Sequence, residues 1–187
     1  MKETYRIKVA GVERDLPLCS ISQDLKIAAF VILGDVELTT ACARELIRKI
    51  PEHDIMITAE AKGIPLIHEM ARQMNAEKYL VARKAQKLYM KDPITVEVQS
   101  ITTARKQTLY IDKNDAELLK GKRVLIIDDV ISTGESIFAV EKLVKMSGGT
   151  VVGKAAILAE GDAKYREDII YLEYLPLFNA EGEPIEK

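Results

Sequence analysis

The stretch "VLIIDDVISTGES", residues 124–136, constrains this chain more than any other. Four apolar β-formers read as a buried strand, and they run directly into two adjacent carboxylates, Asp128 and Asp129. Small hydroxyl residues and Gly134 follow before a helical pattern begins, which is the composition of a loop that can wrap an anion. In an open α/β sheet, ligands bind beyond the carboxyl ends of strands, and this block sits at such an end. The backbone N–H groups of Ser132 to Ser136, with the Thr133 and Ser136 hydroxyls, can surround a phosphate. Two acids beside a phosphate would repel it, so they must face another part of the same ligand, such as sugar hydroxyls or a magnesium ion. For one Asp, ending a strand and capping a turn would be the better reading. For the whole thirteen-residue block it is the weaker one.

The surroundings of the block read as alternating strands and helices. Asp35 is placed to cap a helix from Val36 to about Ile50, with Leu38, Cys42 and Leu46 on one face. "DIMITA" (54–59) reads as a strand, Pro65 to Met74 as a helix with proline in its first turn, and "KYLVAR" (78–83) as the next strand. Residues 84–110 change character: they are polar and lysine-rich, and they alternate like a hairpin at "ITVEVQS" and "QTLYI". The rhythm then resumes with a strand from Arg123 to Asp128, a helix from about Gly134 to Met146 ended by Gly148 and Gly149, a strand from Val151 to Ala159, and an apolar segment from Ile169 to Leu175. "IAAFVIL" (27–33) is too short to span a bilayer and is expected to be a core element, with Phe30 packed inside. A parallel α/β sheet with an inserted hairpin follows, in a single domain over 1–187.

Composition narrows the function. Net charge is -2 and the pI about 5.8, so no global basic field recruits nucleic acid or an anionic membrane. Cys19 and Cys42 make neither a disulfide framework nor a metal cluster, and Cys42 is expected to pack as a small apolar residue. With no signal-peptide pattern or membrane-spanning stretch evident, a cytoplasmic protein is expected. The acidic strand of a P-loop ATPase is a competing reading of 124–129, but no G-x-x-x-x-G-K-S/T loop accompanies it.

An apolar strand, two acids, two apolar residues, a small residue and Thr-Gly-x-Ser closely resemble the diphosphate-sugar signature of type I phosphoribosyltransferases. Glu135 stands where purine enzymes often carry Gly, so its side chain must turn outward. "MITAEAKGIPL" (56–66) resembles the family's pyrophosphate loop, with Glu60, Ala61, Lys62 and Gly63 as counterparts of the Asp-Ser-Arg-Gly of adenine phosphoribosyltransferases. There Lys62 offers a point charge in place of the arginine fork. "VARKAQKLYM" (81–90) resembles the opening of the adenine enzymes' mobile loop, with Lys87 as the matching lysine; Arg105 and Lys106 further along are as well read as a solvated basic hairpin. "ILAEGDAKYREDIIYLEYLPL" (157–177) resembles the adenine-enzyme ending, so the likeness spans roughly residues 35 to 178.

The resemblance implies a type I phosphoribosyltransferase fold: a central, mainly parallel sheet flanked by helices, a small hood from residues 1–34, and a mobile active-site loop at 84–110. It implies transfer of the phosphoribosyl group of 5-phosphoribosyl 1-diphosphate (PRPP) to a purine, adenine first, with Mg²⁺ as cofactor held through PRPP and not by direct protein ligands. Ser132, Thr133, Gly134, Glu135 and Ser136 would hold the 5′-phosphate. Asp128 and Asp129 would face the ribose diol and, with Lys87, carry catalysis. Val130 and Ile131 would border the base. Because "EAKG" also resembles the Glu-Ala-Ser-Gly loop of xanthine and guanine enzymes, those bases stay open. A PRPP-sensing regulator without transferase activity also stays open, although no helix-turn-helix pattern precedes the first long helix. By resemblance, a homodimer is expected.

Overall fold

The computed structural model describes residues 2–99 and 106–185. Among the described residues, ten strands form three sheets, accompanied by four α-helices. The largest contains β4 (Ile55–Ala59), β5 (Leu80–Ala82), β8 (Arg123–Ile131), β9 (Thr150–Glu160) and β10 (Ile170–Leu175), in the order β10-β9-β8-β4-β5. Every pairing in it is parallel. Both faces of a parallel sheet must be covered, which is why β8 reads as a near-continuous apolar run. Val124, Leu125, Ile126 and Ile127 are all buried.

Alternate residues of β8 feed opposite faces. Leu125 and Ile127 join a cluster with α1 (Val36–Ile47) and α2 (Gly63–Gln73), while Val124 and Ile126 join α4 (Glu135–Met146). The α1 helix starts where expected: the Asp35 side chain accepts from the Leu38 N–H at 3.1 Å. Its apolar stripe of Leu38, Cys42 and Leu46 is buried, and burial pushes the Cys42 thiol up to about 12. Complete burial of each such leucine contributes about 1.5–3 kcal/mol.

The hairpin β6 (Ile94–Gln99) and β7 (Lys106–Ile111) is antiparallel, as its alternation indicates. Both feet of the 84–110 segment are anchored. Val96, Leu109 and Ile111 are buried in the α4-side cluster, and Arg83 and Tyr110 exchange backbone hydrogen bonds at 2.8 Å. Residues 100–105, including Arg105, lie outside the described residues. A short helix α3 (Lys113–Glu117), which has no marked apolar period, leads into β8.

The amino-terminal region is an antiparallel sheet of β1 (Thr4–Val9), β2 (Val12–Ser20) and β3 (Lys26–Ala28). Its first turn uses Ala10 (φ 50°) and Gly11 (φ 84°), the positive-φ pair of a tight hairpin. Arg14 on β2 reaches Asp35 at 2.7 and 2.9 Å and Glu37 at 2.8 Å, tying this sheet to the start of α1. "IAAFVIL" is only partly the core element expected. After β3 the chain runs as a loop that buries Phe30 and Ile32 but exposes Val31 and Leu33. A loop with alternating burial lets the backbone between face a cavity.

Candidate functional site

The carboxyl ends of β4, β8 and β9 converge with the loop after β3 around a cavity of about 540 Å³. Strand β8 runs four residues past its apolar segment, so both acids lie on regular strand, on opposite faces. Asp129 is buried; Asp128 is open in part to the cavity, yet its carboxyl is packed round by protein. The Asp128 Oδ1 accepts the Asp129 N–H at 2.9 Å. Burial above all, then the charge of Asp129, pushes Asp128 up to about 7.

After β8 the chain wraps a hollow of about 100 Å³ lined by Asp128 and residues 130–137. Gly134 takes the left-handed conformation there (φ 81°, ψ 6°). No side chain caps α4, so the N–H groups of its first turn are left facing the hollow. The Arg166 guanidinium packs against Gly134 where a Cβ would stand. Arg166 is pinned by Asp168, with Nε and a terminal nitrogen donating at 2.9 and 2.8 Å. Backbone amides, the hydroxyls of Ser132, Thr133 and Ser136 and a positive helix end together make an anion cradle, with the Arg166 guanidinium against Gly134.

Facing it is the turn between β4 and α2, where the Glu60–Ala61 peptide bond is cis. Gly63 is obligatory for space: a Cβ would run into the Thr58 hydroxyl. The Lys62 ammonium lies 2.5 Å from Asp129 Oδ2 and 3.3 Å from the Phe30 carbonyl oxygen. The first contact is ionic and poorly directed, for Oδ2 is buried with no hydrogen-bond donor among the described residues. Glu60 is drawn toward β5, accepting the Lys84 N–H at 3.1 Å beside the Arg83 guanidinium at 3.4 Å.

The structure therefore assembles Glu60, Ala61, Lys62, Asp128, Asp129, Val130, Ser132 and Ser136 around one cavity, with Gly63 behind the turn. Thr133, Gly134 and half-buried Glu135 line the adjoining hollow. Two expected residues do not line the main cavity, although Ile131 borders the adjoining hollow. Ile131 is buried in the α4-side core, because strand alternation sends it away from Val130. Lys87 does not line the cavity; Lys84, three residues earlier, does. Sequence reading also passed over Glu160, the Phe30 carbonyl and Arg166. Glu160 was legible as the residue ending a strand, where α/β sites gather. Arg166 had no local signal.

Among the described residues no three His, Cys, Asp or Glu side chains group as a metal cage, and no helix is long and apolar enough to cross a membrane. An anion cradle, two acids and a lysine at the ends of an open parallel sheet define a protein that handles a phosphorylated sugar or nucleotide. The phosphoribosyl transferase domain profile matches residues 35–182, and the chain belongs to that family. A hypoxanthine/guanine phosphoribosyltransferase of Methanococcus voltae is 34% identical over 139 residues, 74% of this chain and 70% of the relative. A xanthine phosphoribosyltransferase of Exiguobacterium is 28% identical over 155 residues, 81% of this chain and 79% of the relative. Among solved structures, adenine phosphoribosyltransferase from Thermoanaerobacter pseudethanolicus superposes with a TM-score of 0.62 at 23% identity, covering 92% of this chain and 95% of that one.

Proposed function

We propose that this protein transfers the phosphoribosyl group of PRPP to a purine, releasing pyrophosphate and forming a nucleoside 5′-monophosphate for purine salvage. The observation that carries the reading is the placement of Asp128 and Asp129 between an anion cradle on one side and Lys62 on the other. A sugar with a phosphate at one end and a diphosphate at the other matches that order of charges. The 5′-phosphate takes the amides of 132–136; the ribose diol meets Asp128 and Asp129; the diphosphate lies toward Lys62 and Lys84.

The chemistry needed is mostly positioning and charge stabilisation as negative charge builds on the departing diphosphate. Lys62 and Lys84 face that charge. Asp128, at about 7, can hold or release a proton near neutral pH beside the sugar. Mg²⁺ fits this site as a partner of the substrate: the acids offer hard oxygen donors but too few to cage an ion, so the diphosphate must provide most of its ligands. Bound, it would neutralise the diphosphate. The 84–110 hairpin, anchored at its feet, is suited to exclude water over the site.

Adenine is kept as the first base. The sequence relatives named for hypoxanthine, guanine and xanthine favour a second reading, a 6-oxopurine enzyme. Incubating the purified protein with Mg²⁺, PRPP and each radiolabelled purine tests both. Nucleotide formed from any base supports a transferase, and the base identifies which. Tight PRPP binding with no turnover would make the protein a sensor; no PRPP binding would refute the proposal.

A further inference from the structure

Glu160 ends β9 and lines the main cavity together with a second one of about 590 Å³ beneath residues 21–27. It is half-buried, and no hydrogen bond or ion pair among the described residues engages its carboxylate. The other carboxylates of the cavity wall are committed: Asp129 to Lys62, Glu60 to the Arg83 guanidinium and the Lys84 amide, Asp128 to the Asp129 amide. Burial raises the Glu160 pKa; Lys62 opposes this and Asp129 adds to it, so the three groups face one space.

The cavity lining combines two chemistries. Asp128, Asp129, Lys62, Ser132 and Ser136 bring charge and hydroxyls. Ile27, Ala28, Val130 and Leu175 bring apolar wall. A flat base can pack on that wall, and Glu160 lines the same cavity. An ionised carboxylate offers acceptors only, and a half-buried one left unmet is costly. It therefore complements a base edge that donates and opposes one that presents a keto oxygen.

Building on the proposed transferase function, we propose that Glu160 is the base-selecting residue: it accepts a hydrogen bond from an exocyclic amino group, so that an aminopurine, adenine first, is preferred over hypoxanthine and xanthine. The test measures kcat/KM for adenine, guanine, hypoxanthine and xanthine, together with the KM for PRPP, in the wild type, Glu160→Gln and Glu160→Leu. In the wild type adenine should exceed hypoxanthine. Glutamine can turn its N–H toward a keto oxygen, so Glu160→Gln should lower the adenine-to-hypoxanthine ratio about ten-fold or more, the worth of one hydrogen bond to a charged acceptor. Glu160→Leu should lower adenine without raising hypoxanthine. The KM for PRPP should hold in both variants. Equal losses on all bases, or a rising KM for PRPP, would make Glu160 a mere counter-charge to Lys62 and overturn the inference, as would a wild type that prefers hypoxanthine or xanthine. No turnover of any base would instead refute the transferase reading itself, and the inference with it.

Discussion

The buried pair at the end of β8 sets a measurable pH dependence of stability. Asp128 titrates at about 7 in the folded chain against 3.8 for an ordinary aspartate. The folded state thus favours the protonated carboxyl. Its stabilisation is full below the unfolded pKa and is lost as pH rises through the folded one. The difference corresponds to a few kcal/mol at most, of which more than half falls between about pH 5 and about pH 8. That is an upper figure, because Asp128 is open in part to the cavity. Asp54, Glu69, Asp35 and Asp168 are held low by arginine partners and do not blur the window, whereas Glu160, raised by burial, adds a slope of the same sign that Asp128→Asn leaves in place. The assay is urea unfolding across that range, in the wild type and in Asp128→Asn, which keeps the shape and removes the proton. The wild type should lose on the order of 1–2 kcal/mol on going up, and the variant should show a clearly shallower slope. A variant whose slope matches the wild type would refute the claim that burial of this carboxyl is what costs.

Two further perturbations separate the parts of the site. Lys62→Ala should weaken PRPP and pyrophosphate by about ten-fold or more, the loss of a charge-assisted contact, while a nucleoside monophosphate loses much less; calorimetry giving equal losses for both ligand types would remove Lys62 from the diphosphate end. Gly134→Ala puts a Cβ at φ 81° and against the Arg166 guanidinium. Its backbone strain of about 1–2 kcal/mol should lower the unfolding midpoint and raise the KM for PRPP at least several-fold, and an unchanged KM would exclude the loop from phosphate binding.

Most of the α/β frame was legible because its elements bury strong periodic patterns. Strand β8, helices α1, α2 and α4 and the β6–β7 hairpin each lie within a few residues of where the apolar spacing and caps set them. The strands of 4–20 were passed over although Tyr5, Ile7 and Val9 alternate and Ala10–Gly11 makes a turn; one apolar face on a small sheet is a weak signal beside two-sided core strands. At the site, the residues contiguous in a loop were readable and the ones brought in by tertiary packing were not. Lys84 replaces Lys87 at the cavity because the chain after β5 is held by the Glu60 carboxylate, a contact between distant segments. Arg166 reaches Gly134 across more than thirty residues for the same reason.

The two acids beside an anion loop become intelligible through Lys62. Asp129 is buried with one oxygen short of a donor, and such a carboxylate would cost several kcal/mol without a counter-charge. Lys62, nearly half exposed at its own end, supplies that charge while the site is empty. An incoming diphosphate competes for the same ammonium and would strip Asp129 of its partner. Only a ligand that also brings hydroxyls, or a cation, to the aspartate can take Lys62 without leaving a buried charge exposed to nothing. On the proposed function, a sugar diphosphate, or pyrophosphate carrying its cation, meets that condition and a bare anion does not, which would make Asp129 a filter on what Lys62 holds.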